Sequence, residues 1–109
     1  MRTEELKTAK TESRFRDVNE RIAESAEQFG IDELALVCEC ADSECGQQID
    51  APVDEYEATR SDGAHFLVLP GHEVPEHERV IASRPGYRIV EKLRAVGAVA
   101  RRLNPRPAR

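Results

Sequence analysis

An α+β fold, a small and mostly antiparallel sheet with flanking helices and a metal knuckle, is what this sequence predicts. Three observations carry that expectation. Phe15, Val18, Ile22, Ala26 and Phe29 recur at spacings of three and four, as one face of a helix does. Short apolar runs bounded by turn residues follow, as in Leu34-Ala35-Leu36-Val37 and Phe66-Leu67-Val68-Leu69. The only three cysteines then fall within eight residues, Cys38-Glu39-Cys40-Ala41-Asp42-Ser43-Glu44-Cys45.

The elements follow in order. Residues 1–12 have little apolar content and read as a flexible N-terminal arm or a weak extension of the next helix. Ser13 suits the N-cap of the first helix and Gly30 its C′ position, and Arg16, Asp17, Glu20, Arg21 and Glu24 fall largely on its wet side, Asp17 and Arg21 as an i, i+4 pair. Asn19 lies at the margin of the apolar face, where it can hold a loop or sit half-exposed at the border. Glu33 to Cys40 reads as a strand that ends in the cysteines. Pro52 suits the start of a short helix through Arg60, with Asp54 and Glu55 in its first turn. Phe66 to Leu69 forms a second strand, stopped by Pro70-Gly71. Val80-Ile81-Ala82 and Tyr87 to Val90 flank Arg84-Pro85-Gly86 as an antiparallel hairpin. Val96, Val99, Ala100 and Leu103 have helical spacing, and Asn104-Pro105 ends that element. Residues 13–103 thus read as a single α+β domain, followed by a basic Pro/Arg tail over 104–109.

The cysteine spacing points to a metal. On an extended segment, residues two apart share a side, so Cys38 and Cys40 present both sulfurs to one point. A turn over Ala41 to Glu44 brings Cys45 back, and Gly46 lets the backbone leave sharply. A fourth ligand has to come from elsewhere. His72, on the turn Pro70-Gly71-His72-Glu73, is the best placed, with His65 and His77 as substitutes that otherwise read as surface histidines. Cys38, Cys40, Cys45 and His72 make a Cys3His set suited to structural Zn2+. Glu73 or Glu76 would orient the imidazole. The bland alternative is three ordinary buried thiols.

Phe15-Arg16, Asn19-Glu20-Arg21-Ile22, the Cys-Glu-Cys cluster with four residues to Cys45, Tyr56-Glu57 with Arg60, Pro70-Gly71-His72-Glu73 and Tyr87 with Val90-Glu91-Lys92 form a larger pattern. In these residues the chain resembles a group of short uncharacterised bacterial proteins, from about Phe15 to Lys92. The resemblance implies one coherent domain and no particular activity. Where that group has Thr or Ser opening the second helix, this chain has Pro52.

Several functions are disfavoured. His72-Glu73-Val74-Pro75-Glu76-His77 places its histidines five apart with a proline between them, so it is no zinc-protease helix. Deaminase, phosphate-loop and nucleophile-elbow motifs are missing. Cys38 and Cys40 are too close for an unstrained disulfide, and the neighbouring acids oppose thiolate reactivity. A bound dication reverses that electrostatic logic.

Composition narrows the field further. Apolar residues make up 39% of the 109, with three Phe, two Tyr and no Trp, so a metal would reinforce a weak core. No run approaches the roughly 20 apolar residues of a membrane span, and no apolar signal segment opens the chain. A cytoplasmic, non-membrane protein is expected. The net charge of −5 conceals seven basic residues against one acid from Arg88 onward, and eleven surplus negative charges before it. Nucleic-acid binding is therefore disfavoured except weakly through the tail, which otherwise reads as solvated. The charge pattern keeps a protein partner open. The reading reached is a zinc-stabilised, non-enzymatic binding or regulatory module. A small metalloenzyme or thiol redox protein using the same three cysteines is its competitor.

Overall fold

The computed structural model describes residues 3–106. Its elements run α1 (Thr3–Gln28), β1 (Glu33–Val37), β2 (Gln48–Pro52), α2 (Val53–Arg60), β3 (His65–Val68), β4 (Glu78–Arg84), β5 (Tyr87–Lys92) and α3 (Arg94–Arg102). The class is α+β, as expected, but the strands form two small antiparallel sheets. One is the β1–β2 hairpin and the other has the order β3–β5–β4. Strand β2 has no counterpart among the predicted elements. Its alternation, exposed Gln48 and Asp50 against buried Ile49 and Ala51, is that of a half-buried strand. Pro52 ends β2 and is also the N-cap residue of α2, without a side-chain cap, so the short helix starts and ends where expected. The predicted hairpin forms, with Arg84 opposite Tyr87 across Pro85-Gly86, and an irregularity between Val80 and Ala82.

Glu39 N–H donates to the Leu67 carbonyl at 2.9 Å, which joins the end of the first hairpin to the outer edge of β3. Leu34, Leu36, Ile49 and Ala51 from one sheet meet Phe66, Leu67, Val68, Ile89 and Val90 from the other in one core.

Helix α1 turns inward only part of the predicted apolar face, Ala26 with the half-buried Ile22, and adds polar residues expected on the wet side or the border. Val18 is 42% and Phe29 75% exposed, whereas Arg16 and Asn19 are fully buried and Glu12 and Glu20 nearly so. The physical reason is hydrogen bonding and charge pairing. Arg16 donates from Nη1 to the Gly63 carbonyl (2.6 Å) and from Nη2 to the Ala100 carbonyl (2.9 Å), binding the end of α3 and the loop after α2. Its guanidinium also stacks on Phe66, 4.7 Å from the ring centre, and Arg60 and Lys92 approach the same ring at 5.4 Å. Arg16 Nε and Arg60 Nε and Nη1 find no oxygen partner. Both guanidiniums lie against aromatic faces that attract a cation, Arg16 at Phe66 and Arg60 at Phe66 and Tyr56.

Two expectations about the ends are corrected. Residues 3–12 continue α1, the helix-extension alternative and not the flexible arm, and Glu12 is buried against Lys92. Ser13 accordingly lies inside the helix and is buried, not an N-cap. At the other end, Arg106 pairs with Glu20 (2.9 Å) and Glu57 (2.6 Å), so the start of the tail is tied down by charge. Residues 107–109 lie outside the described part. No helix among the described residues is long and apolar enough to cross a membrane.

Lys92 lies between the buried carboxylates of Glu12 and Glu78 and pairs with both. Burial outweighs the attraction of Lys92 and raises Glu12 from 4.5 to about 7. Between those values the folded chain keeps a proton that the unfolded chain has lost, so stability falls as pH rises through this window. Glu12→Gln is neutral at every pH and is expected to flatten this fall. Urea midpoints of both proteins from about pH 5 to about pH 8, with metal saturating, check it. A stability difference between the two that stays constant across this range would contradict the raised carboxyl.

Candidate metal centre

Cys38 follows β1 directly, and its N–H donates to the Gln47 carbonyl at 2.8 Å, so residues 39–46 are the tip of the β1–β2 hairpin. The alternation of an extended chain puts Cys38 and Cys40 on one side and Glu39 on the other. Within the tip, Cys45 N–H donates to the Asp42 carbonyl (3.1 Å) and Glu44 N–H to Asp42 Oδ1 (2.9 Å). Those bonds curl the chain back toward the first two thiols. Gly46 then has φ +53°, a left-handed conformation that returns the strand to its partner.

His72 arrives from the other sheet. After β3, His72 N–H donates to the Leu69 carbonyl at 3.0 Å, with Pro70 and Gly71 at the corners and Gly71 at φ +89°. This is the arrangement of a type II turn, which needs glycine at its second corner. Glu73 clamps the turn by accepting from Gly71 N–H (2.7 Å) and pairing with Arg88. It was expected to orient the imidazole. The turn holds the imidazole's backbone instead, because the carboxylate is occupied by those two donors, and Glu76 is exposed.

One ligand atom each from Cys38, Cys40, Cys45 and His72 lies within 4.8 Å of the others, close enough to hold a metal ion. His72 Nδ1 is 3.7 Å from Cys38 Sγ and 3.6 Å from Cys45 Sγ. Leu69 N–H donates to Cys38 Sγ at 3.2 Å, a bond that stabilises charge on that sulfur. Cys38 and Cys40 are buried, while Cys45 and His72 are half-buried. The three cysteines are free of disulfides. Three thiols this close share their protons. Hydrogen bonding to Cys38 draws Cys40 down, and the same bond together with burial pushes Cys38 up. Burial raises Cys45.

Of the substitute histidines, His65 pairs with Glu91 and Asp62 and His77 lines a groove beside Leu93. Neither belongs to the thiol cluster. What the sequence reading missed is the support behind the cysteines. Glu39 is fully buried, and its carboxylate accepts from Asn19 Nδ2 (2.8 Å), Arg60 Nη2 (3.0 Å) and Leu67 N–H (2.9 Å). Asn19 is buried as well, not a half-exposed border residue. Its amide donates to the Val37 carbonyl and accepts from Val37 N–H, both at 2.8 Å, as a neighbouring strand would. The available signal was the period-2 position of Glu39, opposite both thiols and so toward the helices.

Comparison with protein-family models, curated proteins and solved structures returned no match. The chemistry of the centre therefore rests on its own residues.

Asn19→Ala would strand both backbone groups of Val37 and one Glu39 oxygen. A loss of roughly 2–3 kcal/mol is expected, from the cost of unsatisfied buried polar groups, and is measured by urea denaturation. Cys40→Ser should likewise lower the melting temperature far more than His77→Ala, whose ring touches none of the cluster. Equal effects of those two substitutions would remove Cys40 from any structural role in metal binding.

Proposed function

We propose that this protein is a zinc-stabilised, non-enzymatic binding or regulatory module, akin to the short bacterial proteins it resembles. The observation that carries the proposal is the separation of His72 Nδ1 from two cysteine sulfurs, 3.6 and 3.7 Å. A tetrahedral zinc, with bonds of about 2.3 Å to sulfur and 2.0–2.1 Å to nitrogen, sets an S···N edge of about 3.5–3.6 Å. Three thiolates and an imidazole suit zinc in softness, and its charge replaces the protons that the crowded thiols otherwise share. Four protein ligands close the coordination sphere, filling the position that a catalytic zinc keeps for water or substrate. The bond from Leu69 N–H to Cys38 Sγ further quiets the sulfur as a nucleophile. A structural ion here would fasten the tip of the first hairpin to the turn after β3, across the junction of the two sheets.

The partner we infer is a protein and not a nucleic acid. The acidic body repels phosphates, and the basic residues near the end are partly spent on neighbours, Arg101 near Asp62 and Arg106 on Glu20 and Glu57.

Metal analysis of the purified protein is expected to find about one zinc per chain, and chelation to lower the melting temperature sharply because metal binding is coupled to folding. Protein that is isolated without metal and melts unchanged in chelator would end the proposal. Cobalt substitution separates the module from a metalloenzyme. A closed site gives a tetrahedral thiolate spectrum indifferent to small anions, whereas an anion-sensitive spectrum with His72→Ala retaining full affinity would favour an open, catalytic ion. Fluorescence anisotropy with duplex DNA and single-stranded RNA should show only weak binding that disappears with added salt. Tight binding that survives the salt would overturn the choice of partner.

A further inference from the structure

A second set of metal-ligating side chains lies outside the thiol cluster. Asp62 sits in the loop after α2, His65 opens β3, and Glu91 lies directly opposite His65 on β5. Cross-strand partners share a face of the sheet, so imidazole and carboxylate are brought together by register. His65 Nε2 is 3.0 Å from Glu91 Oε2 and 3.6 Å from Asp62 Oδ2. One ligand atom from each of the three falls within 4.8 Å of the other two.

The orientation of both carboxylates is set from behind. Glu91 turns Oε1 to Arg79, at 3.0 Å from Nε and 2.8 Å from Nη2, leaving Oε2 for His65. Asp62 Oδ1 accepts from Ala64 N–H at 2.8 Å and faces Arg101 Nε at 3.4 Å, leaving Oδ2 for His65. Two carboxylates each anchored through one oxygen, with the other directed at the same ring nitrogen, resemble ligands held by supporting hydrogen bonds. A plain imidazole–carboxylate pair needs only one of them.

We propose that Asp62, His65 and Glu91 form a divalent-cation site distinct from the thiol cluster, for an ion that accepts oxygen and imidazole ligands. Octahedral bonds of about 2.1 Å set adjacent O and N ligand atoms about 3.0 Å apart; the His65–Glu91 separation of 3.0 Å meets this, and Asp62, at 3.6 Å on its loop, closes on the ion by a small side-chain movement. Three protein ligands leave the remaining positions to water, which reaches the site because the side chains are 20–32% exposed. The two guanidiniums offset the two carboxylates, so binding draws on short-range coordination and not on net charge. That makes the site a weak, exchangeable one, unlike the buried thiol set.

Mn2+ is the suitable probe, because hard oxygen and imidazole ligands suit it and thiolates do not. Electron paramagnetic resonance follows the loss of free Mn2+ signal as the full chain, carrying one equivalent of zinc, is titrated. If the protein takes up no zinc, the same titration is run on it as isolated, so the two sites stand or fall separately. One Mn2+ per chain is expected, with affinity reduced about 10-fold or more by His65→Ala and by Asp62→Asn, and unchanged in His77→Ala. Circular dichroism reports whether each variant is folded. Should His65→Ala unfold, the loop substitution Asp62→Asn decides alone. A free Mn2+ signal that stays undiminished, or binding that the folded variants leave intact, would reduce the trio to an ion pair and overturn the site.

Discussion

The buried carboxylate of Glu39 is the interaction on which the rest of this structure depends. It sits between two thiols in sequence and opposite them in space, and it takes hydrogen bonds from α1, α2 and β3 together. A buried carboxylate without partners is costly, so the three donors and the chain segment that carries Glu39 are mutually obligatory. Fixing Glu39 fixes its neighbours. Cys38 and Cys40 are aimed because the residue between them has only one place to go.

The same dependence explains the unusual interior. With few aromatic side chains, the core is completed by charged groups whose partners are built in. Arg16, Arg60 and Lys92 surround Phe66; Arg60 is matched by Glu39, Lys92 by Glu12 and Glu78, and Arg16 by the carbonyls of Gly63 and Ala100. Such networks add less stability than apolar packing of equal volume, and removing one partner is costly because it strands a buried charge. Asn19 adds a further constraint by pairing with both backbone groups of Val37. The first helix is thereby held in one register against the hairpin that carries the cysteines.

The candidate metal centre is assembled from parts that do not neighbour one another in the chain. Three ligands come from the tip of one hairpin and the fourth from a proline-glycine turn at the end of a strand in the other sheet. An ion bound there crosslinks the two sheets at their junction, on the side opposite the Glu39 network. Hydrogen bonds hold one side of the extended segment and coordination would hold the other. This division suits a part that keeps its shape.

The cluster of four side chains was legible in the sequence because three of them are placed by local geometry. Residues two apart on an extended chain share a side, glycine permits the exit after Cys45, and a Pro-Gly pair turns His72 out of its strand. The hairpin at Pro85-Gly86 was legible for the same reason. Strand β2 was not, since a five-residue segment with only two buried side chains carries little periodic signal. Part of the inward face of α1 was misread because hydrophobic spacing assumes an apolar interior. Val18 and Phe29 lie outside, and Arg16, Asn19 and Glu12 lie inside. By itself, the sequence determined the α+β class, the turns and the four side chains able to share an ion. Only the tertiary structure decided which polar residues are interior. Burying a charge is favourable only when distant parts of the chain deliver its partners, and no local pattern records that delivery.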